Sequence, residues 1–372
     1  MMPVGLLIPN STIYPSLGRD FVQGIRLGFD GNELPLKMEG IGLGAKSSEC
    51  ETALQKLSIE HNINTSIAYT GNAVLPDLVA HFTDPKSLLI HTNLGGHLPC
   101  DIPDNRQVIH NAFDLWYNAW CLGRHMAKEG HKEVLYIGTY YEGGYQMPYA
   151  LDQGLQEGGA AISAWHVPKP DAVNFDMDAL RSKFREQPPQ AVYLAFNKSD
   201  AKDFLSAYRD AGLDQLAPIY CAPMMLESEV MNDLQHLNFS CTTASSWFPS
   251  DDHPNNNAFR KAHTDAHGKA PNPFALMGYE AGLILKAAQA LPDLSSLKEH
   301  IRELNGPRRN WHYNTTLQKT CALPHIYKAS ISNGHCEMTD LGPANEPESL
   351  PDKLFKTRSV VFTIWSNPYI CI

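Results

Sequence analysis

Apolar positions in the first half of the chain follow two alternating periods. "VGLLIP" (4–9) is a continuous apolar run of strand length, and after the polar loop "NSTIYPSLG" the residues Phe21, Ile25 and Phe29 recur at four-residue spacing, which predicts a helix with one apolar face. The alternation then repeats. "LPLKME" predicts a second strand, a helix follows through Leu54 and Leu57, "TSIAYT" predicts a third strand with the helix "PDLVAHF" after it, and "SLLIHT" a fourth. Strands and helices in turn, on short links, imply parallel strands joined by right-handed crossovers.

The pattern restarts at the helix "DLWYNAWCLGRHMAKEG". From there the strands "EVLYIGT", "AISAWHV", "AVYLAF" and "PIYCAP" alternate with the helices "ALDQGLQEGG", "DALRSKFREQ" and "AKDFLSAYRDAG". Two α/β series in one chain predict two similar lobes. "FALMGYEAGLILKAAQAL" is the longest helix-like segment, and beyond Asn305 the texture changes to short β-like pieces with Gly-Pro turns.

Size agrees with two lobes, because 372 residues exceed what one hydrophobic core normally serves. A formal charge of -10 argues against a nucleic-acid partner, whose phosphates demand a basic face. No apolar run approaches the roughly 18 residues of a membrane span, so the chain is not expected to cross a membrane. "MMPVGLLIPN" lacks a basic segment and its apolar run is too short for a signal peptide, leaving a cytoplasmic protein or a mature form whose leader has been removed. The second is the expectation.

Candidate chemistry is sparse. "GIGLGAKSSE" (40–49) imitates a phosphate-binding loop, but a Walker loop needs glycine directly before its lysine, and here Ala45 stands there. Ser48 and Glu51 fit a capping box opening the next helix, and the stretch is expected to stay away from the mouth of a ligand cleft. His263 and His267 lie four apart without the glutamate of a zincin motif, and read as a solvated helix face. No nucleophile elbow, paired carboxylates or Cys-x-x-Cys occurs, so neither catalysis nor a metal or other cofactor is expected. Most of the eight cysteines read as small buried apolar groups, while Cys321 and Cys336 could face each other in a hairpin.

Polar and aromatic residues gather just after the strands: Asn10, Ser11 and Tyr14; Thr70, Gly71 and Asn72; Thr92, Asn93 and Gly95; Tyr140, Tyr141 and Tyr145; Asn197; Trp247. In parallel α/β sheets ligands bind at the carboxyl ends of strands, so these loops are the candidate site.

The order of these segments resembles the type I periplasmic solute-binding proteins, within them the branched-chain amino acid, amide and urea group of ABC-transporter receptors. The resemblance is carried by "VGLLIPNSTIYPSLGRDFVQGIRLGF", "EVLYIGTYYEGGYQMPYALDQGLQEGGA", "NPFALMGYEAGLILKAAQAL" and "NGPRRNWHYNTTLQKTCALPHIYKASISNG", in collinear order over nearly the whole chain. It implies a Venus-flytrap fold of two Rossmann-like lobes with parallel sheets joined by a three-stranded hinge. One lobe would be 1–116 plus 245–322 and the other 117–244 plus 323–372, with crossings near Asp114–Tyr117, Thr243–Ser246 and Leu323. It also implies a binder with no catalytic role, monomeric or weakly dimeric, that closes on a small ligand and delivers it to an ABC permease.

The ligand set implied by the resemblance comprises Asn10, Ser11, Tyr14, Thr70, Gly71, Asn72, Asn93, Leu94, Gly95, Tyr141, Tyr145, Asn197, Met224 and Trp247. The ligand implied is a small polar organic molecule, an amino acid, amide or related metabolite, and Met224, standing where the family's acidic partner for an α-ammonium is expected, argues against a zwitterionic amino acid. Cys50 matches a half-cystine of the group whose partner position is not cysteine here, so that disulfide is expected to be absent. A cytoplasmic sensor on the same fold is the alternative reading, and an α/β enzyme a more distant one.

Overall fold

The computed structural model describes residues 3–30, 34–103, 107–169, 172–234, 236–332, 335–344 and 352–357. Its strands are β1 (Val4–Ile8), β2 (Leu36–Gly40), β3 (Thr65–Tyr69), β4 (Leu88–Asn93), β5 (Val108–Ala112), β6 (Glu133–Gly138), β7 (Ala161–His166), β8 (Ala191–Ala195), β9 (Ile219–Cys221), β10 (Phe239–Ser245), β11 (His312–Asn314), β12 (Lys319–Cys321), β13 (His325–Ser332) and β14 (His335–Pro343). The chain divides into two compact units, one holding the described residues of 1–114 and 247–323, the other those of 115–246 and 324–357. Among the described residues it therefore passes between them three times, after Asp114, Ser246 and Leu323.

The first unit carries a seven-stranded sheet in the order β11-β12-β5-β4-β3-β1-β2. All its pairings are parallel except the β11–β12 hairpin. Leu7, Leu54, Leu57, Leu75, Leu78, Leu89 and Val108 form a core on one face, where the helix Ser47–His61 packs its apolar stripe. Full burial of each such leucine contributes about 1.5–3 kcal/mol.

On that unit the helices Leu17–Gly28 and Pro273–Ala290 meet backbone to backbone. A methyl at Gly24 would lie 2.1 Å from the Ala275 carbonyl oxygen, and one at Gly278 would lie 2.1 Å from that of Phe21.

The second unit has the order β14-β13-β10-β9-β8-β6-β7, parallel from β7 through β10 and antiparallel across β10, β13 and β14. Its helices Leu115–Lys128 and Met147–Glu157 repeat the close approach, with Gly123 against the Leu151 carbonyl and Gly154 against that of Trp120. Two mixed α/β sheets of this kind bear out the fold read from the sequence.

Several local expectations change. β5 and β10 are strands that the apolar pattern did not reveal; β10 reads "FSCTTAS", and its buried Thr243 is tolerated because the hydroxyl donates to the Cys221 carbonyl at 2.7 Å. The helix after β2 starts at Ser47 with Lys46 as N-cap and no side-chain cap, so Ser48 lies inside the first turn and forms no capping box. His263 is fully buried, because it shares one face of the helix Pro254–His267 with Asn256 and Phe259, and its Nδ1 meets the Lys269 carbonyl at 3.0 Å. Cys321 and Cys336 belong to different sheets, on β12 and β14, where Cys336 is paired in register with Ile331. Cys50 is a buried free thiol, pushed up to about 11 by desolvation. Cys371 lies outside the described residues.

Candidate ligand-binding site

In the first unit the loops after β1, β3 and β4 form one hydrogen-bonded set. Asn10 is exposed, and its backbone N–H donates to the Gly42 carbonyl at 2.7 Å; that of Gly71 donates to the Gly44 carbonyl at 3.0 Å. The glycine stretch therefore joins the strand-end loops instead of standing clear of them. Gly42 and Gly44 take φ of +53° and +66°, left-handed conformations that favour glycine. Ser11 Oγ accepts from the Tyr14 N–H at 3.0 Å, while the buried Tyr14 ring packs edge-on against Phe274.

Asn72 and Asn93 are committed to this scaffold. Asn72 donates from Nδ2 to the carbonyls of His97 and Leu98, both at 3.0 Å. Asn93 donates to the Thr70 carbonyl at 2.8 Å and to Asn72 Oδ1 at 2.7 Å, and its own Oδ1 accepts from the Gly95 N–H at 2.7 Å. All the amide protons of the two side chains are thereby used. Leu94 is fully buried, and Gly95, at φ +66°, admits no side chain because a Cβ would lie 2.7 Å from the Asp114 backbone.

Beneath the loops, His91 Nε2 lies 3.1 Å from the Thr70 carbonyl and 2.9 Å from its hydroxyl, and His91 Nδ1 lies 2.8 Å from His110 Nδ1. A carbonyl only accepts, so Nε2 carries the His91 proton and His110 donates from Nδ1. Desolvation keeps both rings neutral, with His91 pushed down to about 3 and His110 held well below its ordinary value by burial first, then by the cost of a second charge beside His91 and by Lys319.

Trp247 opens the return into the first unit. It is 1 % exposed and donates from Nε1 to Asn256 Oδ1 at 2.7 Å, while Asn256 Nδ2 donates to the carbonyls of Phe248 and Asp251. The indole thus anchors the loop it starts.

In the second unit the loops after β6, β8 and β9 carry the remaining candidates. Tyr141 is half-buried with its ring against Tyr140, Tyr145 is buried, and Met224 is buried in a short turn directly after β9. Asn197 donates from Nδ2 to Glu142 Oε1 at 3.1 Å. Glu142 was missed in the sequence, yet it organises this end of the sheet: its Oε2 accepts from Thr139 Oγ1 at 2.6 Å, and its N–H donates to the same oxygen. Burial raises the Glu142 carboxyl to about 7 against the bonds from Thr139 and Asn197, with Asp200 adding to the rise. The pattern Thr139-x-x-Glu142 was the available signal.

Among the described residues no group of three or more His, Cys, Asp or Glu side chains could hold a metal, and no helix is long and apolar enough to cross a membrane.

The sequence matches the family described as periplasmic binding protein over residues 2–304. No curated protein sequence matches it. Among solved structures, an ABC transporter substrate-binding protein from Sphaerobacter thermophilus superposes with a TM-score of 0.76 at 17% identity, covering 92% of this chain and 96% of that one. A solute-binding protein of Rhodopseudomonas palustris in complex with 3,4-dihydroxybenzoic acid gives 0.72 at 16% identity, with coverage of 92% and 96%. A substrate-binding protein of Desulfitobacterium hafniense in complex with Leu gives 0.63 at 15%, with coverage of 91% and 99%. At these identities the likeness is one of fold. The family match spans most of the chain, and with both seven-stranded sheets in place the chain belongs to the periplasmic binding proteins.

Proposed function

We propose that this chain is the extracytoplasmic receptor of an ABC importer and takes a small polar organic molecule bearing a carboxylate. The observation that carries the reading is that both units place their polar loops at the carboxyl ends of parallel strands, after β1, β3 and β4 in one and after β6, β8 and β9 in the other. Asn10, Ser11, Tyr14, Thr70, Gly71, Leu94, Gly95, Tyr141, Tyr145 and Trp247 supply amides, hydroxyls and rings around the ligand, with Asn72, Asn93 and Asn197 fixing the loops that hold them. Among the described residues the domain division at 114/115, 246/247 and 323/324 gives three connections through which ligand-driven closure would run. The relatives solved with 3,4-dihydroxybenzoic acid and with Leu both hold carboxylates. Buried, apolar Met224 after β9 favours an acid without an α-ammonium group, such as an aromatic acid.

Thermal-shift titration tests this with benzoate, 3,4-dihydroxybenzoate, leucine, acetamide, urea and glucose. A ligand at 100 times its Kd adds about 2.7 kcal/mol of apparent stability. Aromatic acids should raise Tm most and glucose not at all. Turnover of a substrate without a Tm rise from any of the six sinks the receptor reading; a rise with leucine alone sinks the preference for an acid lacking the ammonium.

A further inference from the structure

The segment Gly306–Trp311 carries none of the strand-end loops, yet it touches the chain near each of the three crossings among the described residues. Arg308 is 1 % exposed; its Nη1 donates to the Ala112 carbonyl at 2.9 Å and its Nη2 to Asn111 Oδ1 at 3.1 Å, just before the first crossing. The same guanidinium holds the buried Glu280 carboxylate through Nε at 2.7 Å and Nη2 at 2.6 Å. Arg309 Nε lies 3.1 Å from each carboxylate oxygen of Asp251, and its Nη2 donates to the Asp252 carbonyl at 3.2 Å, shortly after the second crossing. The Arg309 carbonyl accepts from the N–H of Leu323, the last residue before the third crossing, at 3.3 Å. Lys319, also buried, ion-pairs with Asp114, the last residue before the first crossing.

Three cations thus face three carboxylates: the buried Arg308 and Lys319 both hold the chain at the first crossing, the half-buried Arg309 holds the buried Asp251 after the second, and the Arg309 backbone carbonyl holds Leu323 before the third. Removing one member of a buried pair leaves the other charge uncompensated, so this set resists any single crossing shifting alone. We infer that Arg309, with Arg308 beside it, is a positioning residue that locks the roots of the three crossings in one register, so that they bend together. Ile or Val at 309 could pack such a junction and would keep the backbone bond to Leu323, but neither would hold the Asp251 carboxylate and the Asp252 carbonyl, so the turn after the second crossing would no longer be tied to the residue that holds Leu323. No assumption about the ligand enters.

The test uses the full chain. Arg309→Met keeps the side-chain stem and removes the charge; Arg309→Lys keeps a charge and loses the fork. Hydrogen exchange is read at residues 111–114, 249–253 and 323, and spin labels on non-natural residues introduced at exposed Ile59 and Val173, one on each unit, report the spread of distances between the units. Arg309→Met should speed exchange at least tenfold at Leu323 and at 111–114 as well as at Asp251, and should broaden the label distribution. Asp251→Asn should do the same, and the double variant should add nothing. Arg309→Lys, which keeps the fold, should broaden the distribution by a smaller amount. Faster exchange confined to 249–253 with an unchanged distribution overturns the inference, as does an equal rise across every amide of the first unit.

Discussion

Glu142 shows how one side chain couples local capping to the chemistry of a strand end. Its carboxyl titrates near 7 in the fold and near 4.5 when unfolded, so the folded chain holds a proton that the unfolded chain releases, and stability falls as pH rises from about 4.5 through 7. The loss amounts to about 3 kcal/mol once the group is charged, as an upper figure. Glu142→Gln removes the titration, so the stability of this variant relative to wild type should rise steadily between pH 5 and pH 8 in urea denaturation; a flat difference refutes the assignment. At this scale the sequence was half legible. Asn72, Asn93 and Asn197 stood out by type and place, but their committed amide protons depend on partners 21 to 55 residues away that periodicity does not reveal. His263 shows the reverse error, since Lys and Arg neighbours marked the helix as solvated while position on the Phe259 face decided burial.

At the level of elements, the helix pair Leu17–Gly28 and Pro273–Ala290 depends on glycine as a spacer. The Cβ of Gly278→Ala would sit 2.1 Å from the Phe21 carbonyl oxygen, inside any permitted contact, so the helices must part and lose their buried faces. The substitution should cost about 3 kcal/mol or more, against a gain below about 1 kcal/mol from alanine's higher helix propensity. Gly268→Ala tests a different effect, because that C-cap has open space around it and only its φ of +70° resists a side chain; it should cost about 1 kcal/mol. Thermal melts of the two variants check the ranking. Elements with a clean period, such as β1, β6, β8 and the long helix, were readable from the apolar pattern alone. β5 and β10 were not, because β5 abuts the next helix and β10 buries hydroxyls, which a hydropathy pattern scores as loop.

Across the whole molecule, buried neutral histidines set the acid limit. Below about pH 6.5 the unfolded chain takes up protons that His91 and His110 refuse, so stability falls with pH, by about 2 kcal/mol at pH 5 from His91 alone. Both lie fully buried in the first unit, whereas in the second His125, His131 and His166 are lowered in the same sense but Glu142 gains stability over the same interval and offsets them. Acid should therefore open the first unit before the second: between pH 6.5 and 4.5, amide exchange in β4 and β5 should accelerate more than in β8 and β9. Equal acceleration in the two sheets argues against it. The interleaved chain also has a consequence for synthesis. β5 is made early, yet its partner β12 follows only after residues 115–246 and the helix Pro273–Ala290 have been made. At ribosomal rates on the order of 5–20 residues per second, the nascent first lobe waits roughly ten to forty seconds with one sheet edge unpaired and the glycine face of its first helix uncovered. That interval is when a chaperone has a template to shield, and it closes only when the last fifth of the chain emerges.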